Sequence, residues 1–398
     1  MKQIRFNIGW LVKISFLCSG LEEGRDGVGD YTRHLAAECI RQGHQSIVLS
    51  LNDPQVPKIL SDSQASDGST VSVLRLPDVL PWKQRMEAAS DWLDAFGPDW
   101  ISLQFVPFGF HRNGLCFGLG KRLTSLNSKA AWHVMFHELW LGLNEDSPIK
   151  HRFVGALQQR IIMALLRRLR PQIVHTQTEP YRKVLDRNRI KASILPLFSN
   201  IRRVNQDAWE DFFQPLLGAV GGKPEVRSEL YLTGVFGAVH PEWNAELTID
   251  SLLGLTQRFQ KRLVVVFFGN NNLSNNAFTK LKSRLRDRAV ILMAGERSSS
   301  DISKIIQTLD LGLATSPRQI VQKSGSVAAM LEHGLQVLVT RDDWKLRGTN
   351  ILHEDEISPH FLLPKQLPWL KSLPTRNEQP LREYGLKRVV RRMLISMA

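Results

Sequence analysis

Four stretches of this 398-residue chain place residues that can bind or neutralise charge at positions where a helix begins or a strand ends. The first is Gly24-Arg25-Asp26-Gly27-Val28-Gly29-Asp30-Tyr31, between an apolar run and a helical pattern. Glycines there let the backbone approach a ligand, and a helix start turns unpaired N–H groups and partial positive charge outward, which suits an anionic or polyhydroxyl ligand. A plain tight turn is the alternative. The spacing is not the dinucleotide G-x-G-x-x-G, because Arg33 fills the remaining small position. The second stretch is His137-Glu138, where an imidazole beyond a strand end can donate to a ligand oxygen. A buried histidine satisfied by a backbone carbonyl is the alternative. His175 takes the analogous place on the next strand and ranks after it, since Thr176 to Glu179 also reads as a strand-to-helix cap.

The third stretch runs from Pro317 to Gly334 and holds Lys323-Ser324-Gly325-Ser326 before a helix. One ammonium, two hydroxyls and the amides of a helix start form a coherent phosphate cradle. An ordinary N-cap at Ser324, with Gly325, Ala328 and Ala329 allowing close packing, explains the same residues without a ligand. The fourth, Gly234 to Asn244, contains Gly237 at a strand end. Gly269-Asn270-Asn271-Asn272 and Gly295-Glu296 also follow strands, and turn formation accounts for the asparagines equally well.

Strand-length apolar runs alternating with amphipathic helices must position these residues, a pattern that predicts α/β architecture with parallel sheets covered on both faces. The first series has strands at Lys13 to Leu17, Ser46 to Leu51, Val71 to Leu76, Trp100 to Phe105, Ala131 to Phe136 and Gln172 to Thr176, with helices notably at Gly29 to Gln42 and Ile149 to Leu169. Periodicity weakens from Leu197 to Glu229, where Gly218, Gly221, Gly222 and Pro224 cluster. A second series follows, with strands at Tyr231 to Phe236, Leu263 to Phe268, Val290 to Met293, Leu311 to Ala314 and Gln336 to Thr340. Its helices fall at Glu246 to Arg258, Asn276 to Arg286, Ser300 to Thr308 and Ser324 to Glu332. Two Rossmann-like lobes are expected, residues 1–200 and 229–375, joined by a linker at 201–228 and followed by a last segment, 376–398, whose helix from Leu381 could pack back on the first lobe. Residues 1–12 read as an extension before the first strand.

Composition bounds the function. With 43% hydrophobic and 23% charged residues, disorder is excluded as the main state. A balance of 52 Lys+Arg against 38 Asp+Glu gives +14 and favours anionic partners. The charge lacks the aromatic-rich basic motifs of nucleic-acid binders, so none is expected as a partner. Cys18, Cys39 and Cys116 show no C-x-x-C spacing, which argues against a thiolate metal site or disulfide framework and for a reducing, cytoplasmic setting. Lys13 and Arg160 interrupt the longest apolar runs, so no spanning helix is expected. Lys13 likewise breaks the signal-peptide-like start, and no small-residue cleavage site follows. Arg160, Arg167, Arg168 and Arg170, among Ile161, Ile162, Leu165 and Leu166, could meet an anionic membrane face, as could Lys387 to Arg392; a solvated helix face is the alternative.

Taken with the Leu35-Ala36-Ala37-Glu38 and Arg41-Gln42-Gly43-His44 that continue the first motif, the chain resembles GT-B glycosyltransferases, especially glycosyltransferase family 4, over about residues 13 to 345. The resemblance implies two lobes facing a cleft, a nucleotide-sugar donor on the second, and an acceptor, lipid-linked or saccharide, on the first. It implies retention of anomeric configuration and no metal or cofactor. By position it gives Gly27, Gly29 and Asp30 a place near donor and acceptor, His137 a sugar or phosphate contact, and Gly237 the opening of the second lobe. Lys323 with Ser324, Gly325 and Ser326 would meet the diphosphate. The chain departs from the family pattern. Aligned on Gly334 to Val337, the two carboxylates of the donor helix fall on Val321 and Ala329, with Glu332 as a substitute for the ribose contact. The two diphosphate-binding cations fall on Ala238 and Trp243, leaving Lys323 and one of Arg318, Lys345 or Arg347 to restore charge. A two-lobed binding or scaffold protein without turnover therefore stays open beside the enzyme.

Overall fold

A computed structural model describes residues 11–66, 68–126, 129–221, 226–271, 274–285, 288–348, 360–377 and 384–398. The expected extension before Leu11, Gly222, Pro224, Asn272, Arg286 and the start of the last helix at Leu381 lie outside them. The chain forms two compact units. One takes the described residues up to Leu143, Ser147–Leu195 and Val390–Ala398; the other takes Asn144–Asp146 and Pro196–Val389.

The first unit is built on β1 (Lys13–Cys18), α1 (Gly27–Arg41), β2 (Gln45–Asp53), β3 (Leu60–Ser66), β4 (Ser69–Pro77), α2 (Trp82–Phe96), β5 (Trp100–Phe105), α3 (Pro107–Phe110), α4 (Leu119–Thr124), β6 (Ala131–Phe136), α5 (Ile149–Leu169), β7 (Ile173–Thr176), α6 (Glu179–Arg187) and β8 (Ser193–Ile194). Its sheet runs β3-β4-β2-β1-β5-β6-β7-β8, parallel except at β3. Parallel strands are covered on both faces and so read as continuous apolar runs; all six residues of Trp-Ile-Ser-Leu-Gln-Phe in β5 are buried. The polar edge strand Leu-Ser-Asp-Ser-Gln-Ala-Ser, absent from the predicted series, pairs antiparallel from Leu60 opposite Arg75 to Ser66 opposite Ser69. An edge needs no apolar pattern, which is why hydrophobicity does not reveal it.

The second unit begins with a π-helical turn, Trp209–Phe213, and α7 (Gln214–Gly221), inside the stretch of weak periodicity; Phe213 and Leu217 are buried in its core. It continues with β9 (Leu230–Phe236), α8 (Ala245–Arg258), β10 (Arg262–Phe268), α9 (Asn275–Leu285), β11 (Val290–Gly295), α10 (Ser299–Thr308), β12 (Leu311–Pro317), α11 (Gly325–Glu332), β13 (Val337–Arg341) and β14 (Phe361–Leu362). The sheet order β11-β10-β9-β12-β13-β14 is parallel throughout. In β10, Val264, Val266 and Phe268 enter one apolar core while Val265 and Phe267 enter the other, the period of two that a strand imposes. The last helix, α12 (Leu386–Met397), is buried through Val389, Val390, Met393, Leu394 and Met397. Both units are thus mixed α/β with a parallel sheet, as the alternation of strands and helices predicts.

Two helical glycines measure how closely these layers pack. A Cβ on Gly155 of α5 would lie 1.9 Å from the Leu141 carbonyl oxygen, which is backbone, whereas one on Gly254 of α8 meets nothing within 4 Å. Gly155→Ala should therefore lower stability by about 1–3 kcal/mol through overpacking. Gly254→Ala should raise it by roughly 0.5–1 kcal/mol through the unfolded chain. Urea midpoints of the two variants moving in the same direction would contradict this account.

Candidate functional site

In the first unit the glycine-containing loop is held by buried charge. Asp53, with no exposed surface, accepts from the Leu21 amide at 3.1 Å, Ser50 Oγ at 3.0 Å, the Gln55 amide at 3.0 Å and Arg75 Nε at 2.8 Å. Arg75 also donates to Glu22 at 2.7 Å. Burial raises the Asp53 carboxyl pKa, but the Arg75 and amide hydrogen bonds outweigh it and hold the group below its ordinary value. One ion pair thereby anchors the loop on both sides of Leu21.

Past that anchor, Asp26 caps α1 by accepting from the amides of Val28 and Gly29, both at 3.0 Å. Burial pushes its carboxyl pKa up, and those two amides offset part of the rise. Asp30 turns back, accepting from the Gly24 amide at 3.1 Å and from Arg33. Gly29 is required by close approach, since a Cβ there would lie 2.7 Å from the Gly20 carbonyl oxygen; Gly27 faces open space. Of the three loop candidates, Gly27 lines free volume, Gly29 packs the helix start onto the loop, and Asp30 binds the loop itself.

His137 follows β6 and is buried. Gln177, after β7, donates through Nε2 to His137 Nδ1 at 3.1 Å, so the ring proton sits on Nε2 and is given to Gln104 Oε1 on β5 at 2.9 Å. Gln104 Nε2 donates to Ser102 Oγ at 2.7 Å, Ser102 Oγ lies 2.8 Å from His133 Nδ1, and His133 Nε2 lies 3.0 Å from His175 Nδ1. Six side chains therefore form one hydrogen-bonded array from Gln177 to His175. The Tyr31 ring of α1 meets the His137 ring edge-on with centroids 4.8 Å apart, joining the glycine-loop helix to this array. Both nitrogens of His137 are engaged inside the protein, so the ring reaches a ligand only by exchanging a glutamine for it. Sequence reasoning weighs His137 and His175 but not His133, Gln104, Gln177 or Ser102. The signal for Ser102 and Gln104 is polar side chains at alternate positions of an otherwise apolar strand.

In the second unit, Gly237 and Gly269 follow β9 and β10 with φ of 77° and 78°, values that favour glycine. The Gly237 amide donates to Phe268 O and the Gly269 amide to Gly295 O, both at 2.9 Å. A Cβ on Gly237 would lie 3.7 Å from Ser326 Oγ, so the end of β9 and the first turn of α11 face each other closely. Ser324 caps α11, its Oγ 3.4 Å from the Val327 amide and 3.0 Å from Ser326 Oγ. The first amides of a helix have no intrahelical acceptor, which leaves those of Gly325 and Ser326 directed past the tip. Lys323, half-buried, ends the 3-10 turn Arg318–Lys323 just before it. The structure thus gathers Gly237, Ser324, Gly325, Ser326 and the residue before them. It does not gather Glu332, which closes the same eight-residue helix at its other end, about 10 Å of helical rise away.

The neighbouring cations are already answered. Arg318 is buried and bonded to Asp342 at 2.8 Å; buried Arg341 is bonded to Asp343 and, at 2.5 Å, to Glu242. Lys345 and Arg347 are exposed after β13. Trp243, at an expected cation position, is a core residue whose Nε1 donates to Thr248 Oγ1 at 3.0 Å, whereas Ala238 is exposed. Val321 and Ala329, where the resemblance would put carboxylates, lie fully inside the core. Among the described residues no group of three or more His, Cys, Asp or Glu side chains is placed to hold a metal ion.

No protein-family model and no curated protein matches the sequence. Solved structures do resemble the chain. A glycosyltransferase from Rickettsia africae superimposes with a TM-score of 0.56 at 12% identity, covering 97% of this chain and 98% of that one. A putative UDP-N-acetylglucosamine 2-epimerase from Listeria monocytogenes gives 0.53 at 14%, over 98% and 96%. HepE from Anabaena, in complex with UDP and glucose, gives 0.51 at 14%, over 96% and 90%. The chain has the GT-B fold. At these identities the likeness is one of fold, and chemistry must be argued from the residues.

The buried imidazoles give that argument a pH signature. His333, with no exposed surface, donates from Nδ1 to Ala329 O at 2.7 Å and accepts from Ser303 at 2.8 Å. Burial lowers the pKa of His333 and of His175 to about 4 and that of His133 well below the ordinary value. The unfolded chain gains these protons below about pH 6.5 while the native chain does not, so stability is full above that pH and falls as pH drops toward 4. At pH 5 one such imidazole accounts for about 2 kcal/mol. Thermal unfolding of His333→Gln should be less stable at pH 7.5 but flatter between pH 7 and 5. A variant as steep as wild type would refute the assignment.

Proposed function

We propose that the chain is a glycosyltransferase of the family 4 type, moving a sugar, a hexose in the simplest case, from a nucleotide-sugar donor to an acceptor hydroxyl. The observation that carries this reading is the closeness of Gly237 to the tip of α11, a helix whose Ser324 cap follows Lys323 in the chain: a Cβ on that glycine would lie 3.7 Å from Ser326 Oγ, at the carboxyl ends of parallel strands. Ligands of open α/β sheets bind outside those ends. A helix start capped by neutral hydroxyls, with an ammonium next to it, suits a diphosphate. In the transfer, the bond from the anomeric carbon to the diphosphate oxygen breaks, the bond to the acceptor oxygen forms, and the acceptor proton leaves with the departing phosphate or to solvent. Charge grows on the leaving diphosphate, and Lys323 with the amides of Gly325 and Ser326 would answer it without a metal. That HepE, one of the solved neighbours, is seen in complex with UDP is consistent with such a donor.

In this reading Gly27 opens space at the first unit's strand ends, where the acceptor, lipid-linked or saccharide, would bind. Gly29 and Asp30 shape the loop beside it, and His137 contacts the sugar or a phosphate once Gln104 or Gln177 yields. Retention of anomeric configuration, a cytoplasmic setting and Glu332 as the ribose contact complete the proposal.

A membrane-facing role is supported by α5. Ile149, Phe153 and Leu157, four residues apart on one helical face, are 69%, 74% and 38% exposed, and Lys150, Arg152, Arg160, Arg167 and Arg168 are exposed on the same helix. Among the described residues no helix is long and apolar enough to cross a membrane. We assign α5 to peripheral contact with anionic lipid.

The core positions of Val321 and Ala329 favour a second reading, a binding protein that retains the fold without turnover. A thermal-shift panel of nucleoside diphosphates and their sugars should find a stabilising donor, and Lys323→Ala should weaken it by about 1.5–3 kcal/mol, the scale of one charged hydrogen bond. Stabilisation that survives Lys323→Ala unchanged would displace the proposed cradle, and tight binding without hydrolysis or transfer would select the second reading. Phe153→Ser/Arg160→Ser should lose sedimentation with phosphatidylglycerol-containing vesicles at low salt, about 1 kcal/mol coming from the one cation removed plus the lost apolar insertion. Equal sedimentation of variant and wild type would remove α5 from the membrane.

A further inference from the structure

Five arginines are buried among the described residues: Arg33, Arg75, Arg85, Arg318 and Arg341. Four have carboxylate partners, Asp30 for Arg33, Asp53 and Glu22 for Arg75, Asp342 for Arg318, and Asp343 with Glu242 for Arg341. Arg85, 3% exposed, forms no ion pair with a described residue. Its Nη1 donates to Leu51 O at 2.9 Å and to Asn52 Oδ1 at 2.7 Å, and its guanidinium lies 3.9 Å from the Trp82 ring centroid. Its Nε is buried and finds no acceptor. A second cation stands beside it: Arg122 of α4 lies 4.6 Å from the same ring centroid, half-buried, with Nη1 bonded to Phe117 O at 3.0 Å.

Burial lowers the pKa of both arginines; for Arg85 the charge of Asp78 offsets part of this and Arg122 lowers it further. A buried arginine without an ion pair is what folded chains avoid, and the other four arginines here follow that rule. Helix α2 adds to the imbalance. It begins at Trp82 with no side-chain cap and no acid in its first turn, so its partial positive end is also unanswered.

We propose that Arg85 and Arg122, assembled on Trp82 at the start of α2, bind a phosphoryl group in the first unit. Two guanidinium groups and a helix end match a group carrying close to two negative charges, a phosphate monoester or diphosphate, whereas one carboxylate would leave a cation unanswered. The unsatisfied Nε–H of Arg85 supplies a fixed donor, and Asn52 and Leu51, at the carboxyl end of β2, set its direction. Together with the glycosyl-transfer reading, on which this step alone rests, the site makes the acceptor a phosphate-bearing molecule.

The test uses the full chain carrying Lys323→Ala, which removes the second unit's cation, with inorganic phosphate and pyrophosphate as probes. Pyrophosphate should raise the melting temperature saturably, beyond chloride at equal ionic strength, and calorimetry should give one site. Adding Arg122→Gln should weaken binding at least tenfold, Arg85→Gln should abolish it, and Lys83→Gln, an exposed change on the same helix, should leave it unchanged. Because Arg85→Gln could fail to fold, Arg122→Gln carries the decision. No response above chloride, or an equal response with and without Arg122, overturns the site. Nucleotide-sugar binding by Arg122→Gln with Lys323 intact separates the two ideas: a donor that never binds sinks glycosyl transfer, while pyrophosphate binding lost with Arg122 still establishes the site.

Discussion

A carboxylate and a diphosphate cannot occupy the same helix N-terminus. Each unit of this chain places a helix start near the carboxyl ends of its strands, and the two starts are capped oppositely. In the first unit the Asp26 carboxylate takes the amides of Val28 and Gly29, so a negative charge already sits where an anion would. In the second, Ser324 and Ser326 present neutral hydroxyls and Gly325 no side chain at all. Helix dipoles are alike, so the cap decides which tip receives an anion. In the proposed reading this difference favours the α11 tip for phosphate and leaves the glycine loop of α1 a matter of shape, with Asp53 and Arg75 holding that shape.

The same constraint explains what the second unit lacks. Arg318 and Arg341 are close in sequence to the α11 tip, yet each is buried against its own carboxylates, which removes it from service as a free counter-charge. Trp243 serves the core. Val321 and Ala329 are packed so completely that a carboxylate at either place would be buried without a partner. Three of the four positions where the resemblance would put charge, Val321, Ala329 and Trp243, are therefore packed into the core, while Ala238 is exposed. In the proposed reading charge neutralisation falls on Lys323 and the helix amides.

The parallel strands were legible because burial on both faces writes them as uninterrupted apolar runs, as in Arg262–Phe268. The glycine-bounded strand end that carries Gly237 was legible for the same reason, and the Ser324 cap announced the start of α11. What stayed hidden depends on pairing in space. Leu60–Ser66 is a strand because β4 offers it an antiparallel edge, not because its residues favour one. Asp30 looks like a ligand contact in one dimension and proves to face Gly24 and Arg33. Arg85 is one of many arginines in a basic chain until burial shows that it alone among five lacks a carboxylate.

The histidine array shows how a polar network inside a sheet limits chemistry as well as supporting it. Because Gln177 can only donate through its amide nitrogen, the proton of His137 is fixed on Nε2 and given to Gln104. Ser102, a hydroxyl able both to donate and to accept, joins Gln104 to the His133–His175 pair. Burial opposes a charge on His133 or His175. The array is thus a neutral frame, able to set the orientation of His137 but ill suited to hold a charge.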